Sequence, residues 1–212
     1  MTRLLLVPSA MERARLAAPP GVELLPCGVG VVAAALATSA RLQRGGVGAA
    51  LLVGLCGTRD TARAPLRSLV LGTAARNEAV GAGRGRQFVD TARMPLQPGD
   101  APPDLLPLRD LPLDGVVRGV MGTVAAASGS PAEAADWHAR HPDVLVEEME
   151  AHAVAAACVR AGVPLAVLRA VCNVCGDREH ARWDLAGAFA VLDAALPSAC
   201  EALATLAAGA RA

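Results

Sequence analysis

The feature that most constrains this chain is the alternation of short apolar runs with helix-length segments. Residues 4–7, 49–53 and 165–171 are strand-length runs of Leu, Val and Ala, broken only by Arg169, and they read as buried strands. Residues 22–25, 68–72, 116–123 and 144–146 read as further strands. Ser9 is positioned to cap a short helix over 10–16, before the Pro19-Pro20-Gly21 turn. Residues 31–42 and 148–161 read as helices, stopped by Gly45-Gly46 and Gly162-Val163-Pro164, and Ser130 or Pro131 starts another through Arg140. A terminal helix is expected over 183–208, interrupted near Pro197. Residues 76–115, rich in Gly, Pro and Asp, read as a long excursion of the kind that carries function. Strands alternating with helices give an α/β fold of three layers, αβα. A length of 212 residues fits one domain, 1–212, with no internal repeat.

Composition excludes several classes of function. Formal net charge is zero and the sequence contains no Lys, so there is no basic field to hold a phosphate backbone. With two Phe, two Trp and no Tyr, a base-stacking platform is not expected either. No nucleic-acid partner is expected. The apolar runs are strand-length, well short of the roughly 20 residues that span a bilayer, so no membrane partner is expected. The start, with Arg3, Pro8 and Glu12, lacks the longer apolar run of a signal peptide. A cytoplasmic location follows, with Cys27, Cys56, Cys158, Cys172, Cys175 and Cys200 as buried free thiols. Cys172 and Cys175 form a C-x-x-C, but there is no second pair and no His pair near it, so the metal expectation is none.

Ligands in open α/β sheets gather outside the carboxyl ends of the strands. Four segments follow strand ends here: Met11-Glu12, Gly28-Val29-Gly30, Met149-Glu150 and Arg169 to Asn173. They offer two carboxylates, a Gly-rich turn and an amide to one crevice.

Those segments resemble the purine nucleosidase branch of the nucleoside phosphorylase family. Val146-Glu147-Glu148-Met149-Glu150-Ala151-His152-Ala153-Val154-Ala155 is similar to the V-E-M-E-x-x-A-x-A signature, with one extra acid. Arg169-Ala170-Val171-Cys172-Asn173 is similar to R-A-I-S-[DN]. Gly28 to Ala35 resembles G-I-G-x-x-A-A-A, and Val53-Gly54-Leu55-Cys56-Gly57 resembles [NV]-G-x-A-G. The matches run in family order over most of the chain. Asn173 to Glu179, with Trp183, resembles the futalosine-hydrolysing members, whereas adenine-specific members carry Asp at the position of Asn173. An amide can donate to a purine O6 and accept from a protonated N7, while a carboxylate would repel O6, so Asn173 favours a 6-oxopurine.

The resemblance implies a central sheet that is mixed and partly barrel-like, and hydrolysis of a purine nucleoside without a metal or organic cofactor. It implies that Glu12 is the general base for the attacking water and that Glu150 receives the ribose hydroxyls. It puts Met149 against the sugar, Arg169 on the carboxylate framework and Asn173 at the leaving base. Val29, Cys56 and Gly57 would complete the substrate-binding surface. It also implies a homo-oligomer, with a dimer favoured. Phe88 follows a Gly- and Arg-rich loop, 81–86, and has little core in view; it is expected near the partner's Glu12. The bland alternatives are an exposed first-turn acid for Glu12, an Arg partner or cap for Glu150, a turn residue for Asn173, a structural ion pair for Arg169 and a small core residue for Cys56. A phosphorylase would instead gather Arg15, Arg41 and Arg59 into an anion pocket. A carboxylate at Glu12 suits water better than phosphate. A nucleoside-binding protein without activity would be expected to lack Glu12 or Glu150, and both are present.

Overall fold

A computed structural model describes residues 1–83 and 87–209; Arg84, Gly85 and Arg86 of the Gly- and Arg-rich loop lie outside the described residues. Among the described residues ten strands and five α-helices follow in chain order: β1 (Thr2–Val7), α1 (Ala10–Arg15), β2 (Val22–Pro26), α2 (Val31–Gln43), β3 (Val47–Thr58), β4 (Leu69–Glu78), β5 (Gly81–Ala82), β6 (Val89–Asp90), β7 (Leu105–Pro107), β8 (Val117–Val124), α3 (Pro131–Arg140), β9 (Val144–Glu148), α4 (Ala151–Ala161), β10 (Leu165–Val174) and α5 (Leu185–Gly209).

Strands β3, β9, β8, β4 and β10 pair in that order, and β10 pairs back onto β3, so the sheet closes on itself. β1 and β2 extend it outward from β3, and β7 adds to β4. The ring is mixed. β3 runs parallel to β10 but antiparallel to β9, and β4 runs parallel to β8 but antiparallel to β10. This matches the mixed, partly barrel-like sheet expected above.

Strand periodicity sorts the core into two layers. Leu4, Leu6, Ala50, Leu52 and Val167 face one side with Val154 and Cys158 of α4. Leu5, Val7, Leu51, Val53 and Leu168 face the other with α5. Along α5 the buried residues Ala188, Phe189, Leu192, Leu196, Ala199, Cys200, Ala202, Leu203 and Ala207 cluster on one side of the helix, a single stripe. Burying each Leu or Phe there stabilises the fold by about 1.5–3 kcal/mol.

Several element boundaries differ from the sequence reading. β3 runs on to Thr58 and β10 to Val174, through residues expected as turns, because the closed ring supplies each with a partner to its end. β4 reaches Glu78, and the excursion after it contains the β5–β6 pair and β7. α4 begins at Ala151 rather than 148, since Glu147 and Glu148 still belong to β9. The expectation that no apolar run approaches membrane-spanning length is corrected by α5: Leu185–Ala207 is long and apolar enough by length and composition to cross a bilayer. Its apolar stripe is instead packed on the sheet.

The terminal helix is also not interrupted: Pro197 lies inside α5. A proline mid-helix removes one backbone hydrogen bond and crowds the preceding turn. Pro197 is exposed, so replacing it removes no core contact. Pro197→Ala is expected to stabilise the protein by up to about 3 kcal/mol, read as a raised denaturant midpoint; an unchanged midpoint would show that α5 absorbs the proline without cost.

Candidate active site

A cavity of about 210 Å³ opens at the carboxyl ends of β1, β3, β9 and β10. Its wall includes Glu12, Val29, Cys56, Gly57, Met149, Glu150, Arg169 and Asn173. Eight of the nine site residues expected from sequence are therefore brought together; Phe88 is not.

Glu12 is placed by local helix chemistry. Ser9 caps α1 and Glu12 stands three residues later, a capping box written S-x-x-E. The Glu12 amide donates to Ser9 Oγ at 3.2 Å. In return Glu12 Oε2 accepts from Ser9 N–H at 2.9 Å and from Ser9 Oγ at 2.5 Å. Its second oxygen accepts from Leu55 N–H at 2.9 Å, which ties α1 to β3. Glu12 is thus buried on the cavity wall, not an exposed first-turn acid.

Sheet register places Arg169. It lies opposite Gly54 in the parallel β10–β3 pair. A Cβ on Gly54 would stand 2.3 Å from Arg169 Nη1 and 2.4 Å from Glu12 Oε1, so the missing side chain is what allows guanidinium and carboxylate to approach. Arg169 is 1% exposed. Its Nη2 donates to Glu148 at 2.6 Å and to Glu150 at 2.8 Å. Burial disfavours its charge, but Glu148, Glu150 and Glu12 outweigh that and hold it above the ordinary arginine value.

The signature acids divide by strand alternation. Glu147 accepts from Ser128 N–H and Oγ, both at 2.7 Å, and from Arg59 at 3.0 Å. Glu148 accepts from the Glu150 and Ala151 amides at 2.8 and 2.7 Å, besides Arg169 and the Thr123 hydroxyl. It fills the orphan donors at the start of α4. Glu150 accepts from Gly30 N–H at 2.9 Å, joining the Gly28–Gly30 turn to the site. Burial raises the Glu150 carboxyl above 4.5; Arg169 opposes this and Glu148 adds to it. Met149 lies half-buried between them at the cavity.

Asn173 reaches the wall through an irregularity. The β10–β3 register shifts between Val171 and Asn173, which sets Asn173 against Gly57. Its Nδ2 donates to the carbonyl of Val174 at 3.0 Å, and its Oδ1 accepts from Cys172 Sγ at 3.3 Å. Cys56, Cys172 and Cys175 line the same wall as free thiols. Burial pushes the Cys172 thiol up to about 11 and raises those of Cys56 and Cys175, so none is a ready thiolate.

Two sequence readings need correction. Phe88 has a core to join: it is 6% exposed and packs edge-on against Trp137 of its own chain, with ring centroids 5.2 Å apart. The three arginines of the phosphorylase reading do not meet. Arg41 pairs with Glu23, Arg59 with Glu78 and Glu147, and Arg15 lies over the Phe189 ring. Sequence reasoning also missed Ser9, Ser128 and Glu148 as parts of the wall. The S-x-x-E spacing and the doubled acid before Met149 were the available signals.

Glu150 yields a stability prediction. Its folded-state pKa is raised, so its share of stability is present below 4.5 and lost as pH rises through the folded value. At pH 8 the buried charge opposes folding. Glu150→Gln removes it and leaves Arg169 paired to Glu148. The variant is expected to melt above the wild type at pH 8, with the gap closing toward pH 4. A variant that melts below the wild type at pH 8 would show that the Arg169 pair outweighs the burial cost.

Known proteins extend this geometry. The phosphorylase superfamily model matches residues 21–208. A futalosine hydrolase of Streptomyces coelicolor is 33% identical over 179 residues, covering 82% of this chain and 76% of that protein. A futalosine hydrolase of Acidothermus cellulolyticus is 40% identical over 87 residues, 41% of this chain; the matched stretch spans 35% of that relative's length. The crystal structure of a 5′-methylthioadenosine/S-adenosylhomocysteine nucleosidase from Colwellia psychrerythraea, in complex with adenine, superimposes with a TM-score of 0.69 at 20% identity, covering 99% of this chain and 95% of that one, a likeness of fold. With the matched model covering nearly the whole chain, and the strand-end acids gathered at one cavity, the chain belongs to the phosphorylase superfamily.

Proposed function

We propose that this protein hydrolyses the N-glycosidic bond of futalosine, releasing hypoxanthine and the dehypoxanthinyl product, a step toward menaquinone. The observation that carries this reading is the convergence of Glu12, the Glu150–Arg169 pair and Asn173 on one cavity. The names of the Streptomyces and Acidothermus relatives support the substrate.

In this reading Glu12 takes a proton from the water that attacks C1′ while the bond from C1′ to the base breaks. Ser9 and the Leu55 amide fix the carboxylate so that it need not reorganise during reaction. Glu150, held by Arg169 and Gly30, receives the ribose hydroxyls and stabilises the positive charge that develops on the sugar. Asn173 donates to O6 of the leaving base and accepts from N7–H, the N7 proton coming from solvent. Met149, Val29, Cys56 and Gly57 enclose the nucleoside. The dispersal of Arg15, Arg41 and Arg59 onto other partners favours water over phosphate as the nucleophile.

Assembly is part of the proposal. Val32 and Leu36 on α2 are 70% and 67% exposed and continue from Val29 at the cavity rim, an apolar stripe at helical spacing. Pairing that stripe with a second copy would shield the cavity from water; symmetric pairing is the commonest oligomeric arrangement. Phe88, spent on Trp137 in its own chain, has its ring already buried.

Base release from futalosine, methylthioadenosine and inosine, measured with and without phosphate, tests the chemistry. The expected result is fastest release of hypoxanthine from futalosine, independent of phosphate, and a loss of roughly 10²–10⁴-fold in Glu12→Gln. Preferential release of adenine from methylthioadenosine would establish the adenine-type alternative, and ribose 1-phosphate formation would establish a phosphorylase. Light scattering at micromolar concentration is expected to give a dimer or larger assembly; a fully active monomer of 21.4 kDa would overturn the pairing.

A further inference from the structure

One residue is held in a backbone conformation that its type disfavours. Among the described residues Arg67, in the loop between β3 and β4, is the one non-glycine with positive φ, at 68°. A side chain in that region crowds the backbone, so the conformation persists only where other contacts impose it. Such outliers collect where geometry serves function. The contacts of Arg67 show what it holds.

Arg67 N–H donates to the Val171 carbonyl at 2.9 Å, and Val171 N–H donates to the Ser68 carbonyl at 2.9 Å. The Arg67 side chain donates through Nε to the Asp184 carboxylate. Asp184 in turn donates its N–H to the Cys172 carbonyl at 2.8 Å. Its carboxylate also accepts from Gly187 N–H at 2.9 Å, which caps the first turn of α5. Arg67 and the Gly187 amide together hold the Asp184 carboxyl below its ordinary value. A Cβ on Gly187 would fall against both Arg67 Nε and the Asp184 carboxylate, so this glycine leaves the room in which they meet.

These contacts fall on one stretch of β10. β4 covers that edge of the strand only as far as Ala170, which lies opposite Leu69. Beyond it Arg67 and Ser68 take the backbone of Val171, and Asp184 takes that of Cys172. On the other edge the register with β3 shifts between Val171 and Asn173, and Cys172 has no counterpart. The irregular stretch that brings Asn173 to the cavity is therefore held from outside the sheet. Cys172, Asn173, Trp183 and Leu185 all line the cavity, so the residues gathered around Arg67 and Asp184 carry part of its wall. The Arg67 side chain is 65% exposed, and an ion pair so open to water contributes little to stability. What the pair supplies is geometry.

We propose that Arg67 is a positioning residue: with Asp184 it latches the irregular stretch of β10 and so fixes the direction in which Asn173 meets the base. Arg67 touches no substrate and acts through Asn173. The inference rests on the nucleosidase reading, in which Asn173 holds the leaving base.

The test separates position from stability. Arg67→Gly removes the latch and suits the positive φ, so the fold is spared. It is expected to keep the wild-type melting temperature and to lower kcat/KM for hypoxanthine release from futalosine roughly tenfold, as a misplaced contact does. Arg67→Lys should restore part of the loss. Asp184→Asn, which can still cap α5, should reproduce it. In the Asn173→Ala background Arg67→Gly should cost nothing further, because the two act as one unit. Wild-type kcat/KM in Arg67→Gly, a loss that tracks a lowered melting temperature, or a full further loss in the Asn173→Ala background overturns the positioning role while leaving hydrolysis intact. If the wild type releases no base from any nucleoside, the nucleosidase reading falls and hydrogen exchange decides the latch. Faster exchange of the Val171 and Asp184 amides in Arg67→Gly supports it, and unchanged exchange overturns it.

Discussion

The site depends on one buried guanidinium. Arg169 sits in the middle of β10 with 1% of its surface exposed, and its charge is compensated by Glu148 and Glu150 with Glu12 nearby. Removing the guanidinium would cost about 3–5 kcal/mol, because the carboxylates left behind stay buried without a counter-charge. The arrangement forces β1–α1, β9–α4 and β10 to meet in one geometry. It also explains why β3 carries Gly54 where it passes between Glu12 and Arg169: any side chain there would occupy the space of both groups. Stability and site geometry are thus set by the same contacts, and Glu150 bears the cost as a carboxyl raised by burial.

A second polar chain runs behind the first. His141 Nδ1 lies 2.6 Å from Glu78, which pairs with Arg59, which reaches Glu147, which holds Ser128. Burial raises the Glu78 carboxyl, but His141 and Arg59 outweigh that and hold it below the ordinary value. The additional acid of the V-E-E-M-E segment therefore anchors the segment leading to α3, where Ala127 and Ser128 line the cavity. Adjacent strand residues point to opposite sides, so one doubled acid serves both charge networks.

Much of the candidate site was legible because its residues follow strand ends, where turn chemistry marks the sequence. Ser9 marks the start of α1, and the acids around Met149 and the Arg-to-Asn segment stand out against apolar surroundings. Phe88 was misread for a physical reason. Its partner, Trp137, lies on α3 far along the chain, and local sequence does not show that contact. The fate of Arg15, Arg41 and Arg59 was hidden in the same way, since each finds a partner by tertiary approach.

By itself the sequence determined the α/β class, most strands and helices, and the set of residues at strand carboxyl ends, because these depend on local periodicity and turn-forming residues. Only the tertiary structure decided that the sheet closes through β10 and β3, that β3 and β10 run through their glycine and cysteine turns, and that α5 passes Pro197 unbroken. It also decided which guanidinium meets which carboxylate. Strand pairing and ion pairing join residues distant in the chain, and their energies depend on burial and register, which no local pattern encodes.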